Sequence, residues 1–134
     1  MYKKYNHTVG YNIWKIEWCT KYRYKIFTKF FMMMYCKVAV EEACKRYEME
    51  ILALKVMPQH IHMVVSLPRG MTDIKALQLL KGFTSRLIFL LCPDLRKRYP
   101  KGHLWGGSFA ATVGETELDE AIDYVNNQEI HHRF

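Results

Sequence analysis

Two rhythms of apolar and polar residues alternate along this chain, and the switches between them mark its elements. From Thr8 to Cys19, the residues Val9, Tyr11, Ile13, Trp14, Ile16 and Trp18 form a β-branched and aromatic run of strand type. From Lys29 to Tyr47 the rhythm is helical. Phe30, Met34 and Val38 recur every fourth residue, and Glu41 and Glu42 stand against Lys45 and Arg46 at helical spacing. Met49 to Val56 and His60 to Leu67 read as two strands joined at Pro58, the second closed by Pro68-Arg69-Gly70. Thr72 or Asp73 can cap a helix carrying Ile74, Leu77, Leu80, Leu87 and Leu91 in helical register, with Pro93 just past its end. A basic loop leads to a strand from Leu104 to Val113. Gly114 turns the chain, and Thr116 is a candidate cap for a last helix from Glu117 to Glu129.

The order β-α-β-β-α-β plus a terminal helix predicts an α+β fold of the ferredoxin-like kind. That fold has a four-stranded antiparallel sheet with two helices on one face. The last helix, which carries Tyr124, is an addition to it. The architecture names no function, since it hosts many.

Composition adds one fact that the pattern lacks. The length of 134 residues suits a single domain spanning 1–134, and the 50% apolar share is enough for a real core. Twenty Lys and Arg against thirteen Asp and Glu leave a formal charge of +7. A basic surface attracts polyanions, of which nucleic acid is the commonest. Cys19, Cys36, Cys44 and Cys92 form no Cys-x-x-Cys pair, which argues against a zinc ribbon. Their apolar neighbours suit small buried thiols in a reducing compartment. The polar, basic start has no apolar leader, and the run from Ile26 to Cys36 is too short to span a bilayer, so a cytoplasmic protein is expected.

Two local patterns carry chemistry. Strand alternation puts Ile61, Met63, Val65 and Leu67 on one face and His60 and His62 on the other, roughly 6–7 Å apart along the strand. Two imidazoles so placed can converge on one cation. They are equally ordinary as polar residues on the solvent side of a sheet, and two ligands alone are too few for a structural zinc site. In the last helix Leu118, Ala121, Ile122 and Val125 form the apolar stripe. Tyr124 and Gln128, four apart, share its flank. A tyrosine at a helix border often does no more than bury its ring and wet its hydroxyl.

Taken together, His60-Ile61-His62 in a strand and Tyr124-x-x-x-Gln128 some sixty residues later resemble the HUH nucleases. The likeness is to their single-tyrosine branch, the small insertion-sequence transposases called TnpA. Other passages match that layout: Thr20-Lys21-Tyr22-Arg23, Met57-Pro58-Gln59-His60-Ile61-His62, Ser66-Leu67-Pro68, Lys81-Gly82-Phe83-Thr84-Ser85-Arg86, Leu104-Trp105 and Thr112-Val113-Gly114. There are two departures. Gln59 stands where the family often has Asp, and Gly107-Ser108-Phe109-Ala110-Ala111 is smaller than the usual aromatic-rich segment.

The resemblance implies that His60, His62 and Gln128 bind a divalent cation, Mg²⁺ or Mn²⁺, and that Tyr124 attacks a phosphate of single-stranded DNA. The product would be a 5′-phosphotyrosine and a free 3′-hydroxyl, which a second strand can use to rejoin DNA. It also implies a homodimer, in which the tyrosine helix of one subunit can complete the site of the other, and DNA carrying hairpins. Among the basic residues, Arg23, Lys21, Lys81, Arg86, Lys97 and Arg98 are the candidate phosphate contacts, with Lys25, Lys75 and Arg96 behind them. Tyr22, Tyr24 or Trp105 could stack on bases.

Two rivals remain open at this point. An RNA-recognition module shares the element order, but its third strand should carry a Lys/Arg-Gly-aromatic run where this chain has His-Ile-His. A domesticated relative acting on chromosomal repeats would share every residue named.

Overall fold

The computed structural model describes residues 12–127. Gln128 and the first residues of the expected opening strand, 8–11, therefore lie outside the described residues. Strand β1 (Ile13–Thr20) is followed by a short 3₁₀ turn, helix α1 (Phe30–Arg46), strands β2 (Glu50–Val56) and β3 (His60–Ser66), and helix α2 (Asp73–Leu91). Another 3₁₀ turn, strand β4 (Trp105–Thr112) and helix α3 (Leu118–Asn126) complete the chain. The sheet order is β2-β3-β1-β4 with every neighbour antiparallel, which is the ferredoxin-like arrangement expected from the element order. No helix among the described residues is long and apolar enough to cross a membrane.

Alternation decides which face of each strand meets which helix. Ile16 and Trp18 of β1, and Ile61, Met63 and Val65 of β3, point into the main core beneath α1 and α2. The opposite face carries a second, smaller core in which Ile13, Leu52, Ala53 and Val64 receive Leu118 and Val125 of α3. The β2–β3 part of the sheet is thus covered on both sides, and β3 is buried along its whole length. Between Ile51 and Ala53 the β2–β3 register shifts. This irregularity resets the alternation of β2. Met49, Ile51 and Val56 belong to the main core, while Leu52 and Ala53 both belong to the second.

Helical spacing located α1 and α2 but not their buried faces. Phe30 is 71% exposed and Val38 42% exposed. The face of α1 that meets the sheet is Met32, Cys36, Ala39, Val40, Ala43 and Cys44, small enough for close approach to the neighbouring elements. On α2, Leu77 and Leu80 are buried as expected. Ile74 and Leu91 are exposed, and Ala76, Thr84, Ile88 and Phe89 supply the rest of the face. Thr72, rather than Asp73, caps α2 by accepting a hydrogen bond from the Lys75 amide at 3.1 Å. Thr116 caps nothing, because Glu115–Glu117 form a 3₁₀ turn closed by the Glu117 carboxylate, which accepts from the Gly114 amide at 3.2 Å. Of the cysteines, Cys36 and Cys44 are buried, whereas Cys19 and Cys92 are partly exposed.

Candidate active site

The turn from β2 to β3 sets the first histidine. The His60 carbonyl accepts from the Met57 amide at 2.8 Å, and the Gln59 carbonyl accepts from the Thr20 amide at 2.9 Å. His60 therefore opens β3 against the end of β1. Both imidazoles face the α3 side and are buried, at 8% and 7% exposure, with ring centroids 4.6 Å apart. They are not the solvated polar residues that a bare His-x-His also permits.

The antiparallel register places Glu17 of β1 directly opposite His62. The Glu17 carboxylate meets the His62 Nε2 at 2.5 Å. One ligand atom from each of Glu17, His60 and His62 can be chosen so that all lie within 4.8 Å of one another, a group able to hold a metal ion. Two imidazoles and a carboxylate form a donor set that suits a divalent cation. The sequence reading missed Glu17. Its signal was the alternation of Lys15 and Glu17 with Ile16 and Trp18 along β1, which gains meaning only once β1 and β3 are in register.

These groups form one wall of a cleft of about 550 Å³. Trp18 and Cys19 continue the β1 wall, Gly107, Ser108 and Phe109 of β4 line the far side, and Arg23 and Tyr124 close it. Tyr124 is 39% exposed, on the flank of the stripe that buries Leu118 and Val125. Its ring lies over the Lys15 Nζ, 4.8 Å from the centroid. The tyrosine thus shares a cleft with the histidines of its own chain. Gly107 leaves the far wall low, since a Cβ there would meet nothing within 4 Å.

The segment that delivers Arg23 is unusual. Tyr22 and Arg23 both have left-handed backbone, with φ of 62° and 54°, where a side-chain-bearing residue is disfavoured. Three hydrogen bonds fix the segment. The Lys21 amide donates to the Leu104 carbonyl at 2.7 Å, the Tyr99 hydroxyl donates to the Lys21 carbonyl at 2.9 Å, and the Thr20 hydroxyl donates to the Tyr24 carbonyl at 2.7 Å. Paired left-handed residues over-determined in this way are a signature of functional loops.

Other candidate residues fall in different places. Lys21 lies 5.8 Å from the Tyr22 ring centroid, and Arg98 packs on Tyr24 at 4.4 Å. Arg86 is exposed on α2. Lys97 is exposed beside Asp94 at 3.8 Å. The Lys81 ammonium is turned inward, donating to the Gly106 carbonyl at 2.8 Å, and burial pushes its pKa down. Trp105 is half-buried and held within the protein. Its indole donates to Thr84 at 3.0 Å and its ring packs edge-on to Trp18. Tyr22, 67% exposed, is the open aromatic of the segment.

The sequence profile of the family described as "Transposase IS200 like" matches residues 9–128. The chain belongs to this family. The IS200-like assignment is joined by a relative, the ISDra2 transposase TnpA of Deinococcus radiodurans, 26% identical over 112 residues that cover 83% of this chain and 79% of that protein. A crystal structure of a Deinococcus radiodurans protein described as a transposase superposes with a TM-score of 0.71 at 25% identity, covering 94% of this chain and 97% of the other. A REP-associated tyrosine transposase bound to a REP hairpin superposes with a TM-score of 0.67 at 16% identity, covering 98% of this chain and 73% of its own. That last likeness is one of fold. The four-stranded antiparallel sheet with three helices is therefore the fold that these two transposase structures share with this chain.

Proposed function

We propose that this IS200-like transposase is one domain that cuts and rejoins single-stranded DNA through a covalent bond to Tyr124. The observation that carries the reading is the single cleft shared by Tyr124, His60, His62 and Arg23. Tyr124 Oη attacks phosphorus and forms the new P–O bond as the bond to the 3′ oxygen breaks. The tyrosine proton leaves, and the departing oxygen gains a proton to become a free 3′-hydroxyl. Another strand's 3′-hydroxyl reverses the step, so bond energy is conserved and no nucleotide cofactor is consumed.

His60, His62 and Gln128 are the residues the family resemblance assigns to a divalent cation, Mg²⁺ or Mn²⁺. When bound, such a cation withdraws charge from the phosphate it contacts. The chain's own groups do the remaining work. Arg23 supplies a guanidinium that pairs with phosphate oxygens in a forked geometry. Lys15 beneath the Tyr124 ring holds it on the cleft's edge. Lys21, Arg86, Lys97 and Arg98 extend the basic surface along which a strand runs, and Lys81 serves from within by fixing the start of β4. Tyr22 is the best-placed base platform.

Cutting at two DNA ends calls for two nucleophilic tyrosines, and each chain offers one in this cleft. A homodimer supplies both, with the tyrosine helix working on its own histidines or on its partner's. DNA folded into hairpins is the proposed substrate, by extension from the structural relative that binds one. The RNA-recognition alternative finds less support, because α3 covers part of the sheet face on which such a module would stack bases.

The test compares wild type with Tyr124→Phe on single-stranded oligonucleotides from the gene's flanks, with Mg²⁺ or Mn²⁺. Wild type should yield a denaturant-stable protein–DNA adduct and the Phe variant none. An adduct that persists in the Phe variant would sink the nucleophile. Metal-independent binding without cleavage would replace the enzyme with a binding module.

A further inference from the structure

We infer that Glu17 is a direct ligand of the divalent cation, so that the sheet alone loads the ion and the tyrosine helix is not needed to hold it. The inference rests on the nuclease reading above and adds a ligand that the family pattern does not name. Four observations carry it. First, β1 and β3 pair so that Glu17 stands opposite His62, and its carboxylate touches that imidazole. Second, donor atoms of Glu17, His60 and His62 fit within 4.8 Å of one another. Third, Mg²⁺ and Mn²⁺ are hard cations that favour oxygen donors, so two neutral imidazoles alone are a weak seat for either. Fourth, Glu17 is the acidic side chain among the residues lining the cleft, which also holds Arg23, with Lys15 just beneath Tyr124. Without the carboxylate, a dication would enter a site already positive.

All three groups sit on adjacent paired strands whose other face is the main core. Their spacing is fixed by the sheet, whereas α3 rests on the second, smaller cluster. The site is therefore built in two parts. The strands bind the ion, and the helix brings the nucleophile, with Gln128 as an added contact rather than a required one.

The rival role for Glu17 is to orient His62 through a hydrogen bond without touching the ion. Affinity alone does not separate the two, because partners that only orient a ligand also change metal affinity by about 10–100-fold. The number of water molecules on the ion does separate them. The full chain, without DNA, is titrated with Mn²⁺ and followed by electron paramagnetic resonance, and bound waters are counted in isotopically labelled water. Glu17→Ala should weaken Mn²⁺ binding more than about tenfold and raise the count of Mn²⁺-bound waters. Gln128→Ala should leave affinity within about threefold, since three ligands remain. Glu17→Gln, close to isosteric, guards against misfolding, and its melting temperature should stay near that of wild type while its Mn²⁺ affinity falls.

An unchanged water count in Glu17→Ala would reduce Glu17 to an orienting group and overturn the inference. So would a Gln128→Ala loss as large as that of Glu17→Ala. In either case His60→Ala would still abolish binding and the nuclease reading would stand. Failure of the wild type to bind Mn²⁺ at all would overturn both.

Discussion

Replacing Tyr99 by Phe removes one oxygen far from the chemistry, yet it should disturb the cleft. Tyr99 is 2% exposed, and its hydroxyl donates to the Lys21 carbonyl at 2.9 Å. The lost hydrogen bond is worth about 1 kcal/mol net, rising to about 2 kcal/mol if the Lys21 carbonyl finds no other donor. The neighbouring Tyr22 and Arg23 hold left-handed backbone, an arrangement that costs about 1–2 kcal/mol per residue for side-chain-bearing residues. The tether and the strain it contains are thus of similar size. Loss of the tether should let the segment relax and swing Arg23 out of the cleft. The melting temperature should fall by roughly 3–8 °C for a chain of this length, and adduct formation should fall with it, even at temperatures where the protein stays folded. The effect has a pH signature. Burial pushes the Tyr99 pKa up. The folded state therefore keeps this proton longer than the unfolded chain does. The stability it contributes is full below about pH 10 and is lost as pH rises through the folded value, so wild type and variant should converge in alkali. Calorimetry across pH, with adduct formation measured in parallel, is the assay. A Phe variant with normal melting would show that Tyr99 is no anchor. One that melts early but forms adduct normally would show that Arg23 does not depend on it.

Two further outcomes follow from burial. Leu118→Ala removes the larger plug of the second core and should cost about 2–5 kcal/mol of local stability. Hydrogen exchange should speed up across α3 and leave β1 and β3 protected, whereas an equal loss of protection throughout would mean that the two cores melt as one. Burial pushes the Cys44 thiol up to about 12, and Cys36 is raised further still. At pH 8, iodoacetamide should therefore modify Cys19 and Cys92 in the folded protein, and Cys36 and Cys44 only after denaturation. Mass spectrometry reads this directly, and ready modification of folded Cys44 would contradict the packing of α1.

The element order was legible because each strand and helix runs for seven residues or more between turn-forming residues. Faces were harder to read wherever the buried side chains were small. On α1 the eye is drawn to Phe30 and Val38, while the packed face is built on Cys36, Ala39 and Ala43, whose merit is closeness rather than size. On β2 every reading by alternation fails at Leu52, because an irregularity changes the phase. Spacing within single elements left the histidine pair and Tyr124 ordinary, and they stood out only through their joint resemblance to a family pattern. Glu17 did not stand out even so, since its meaning depends on which residue lies across from it on another strand. Arg23 fell within a recognisable segment, but the left-handed backbone that aims it leaves no mark in a stretch without glycine.

β3 is buried on both faces, with Ile61, Met63 and Val65 toward one side and His60, His62 and Val64 toward the other. A slip of one residue in its pairing would thrust both imidazoles into oil and offer the cleft a row of hydrocarbon. Correct folding and a correctly assembled centre are consequently one event on this strand. A misaligned copy fails as a protein before it can act on DNA at all, which is a form of containment for a transposase.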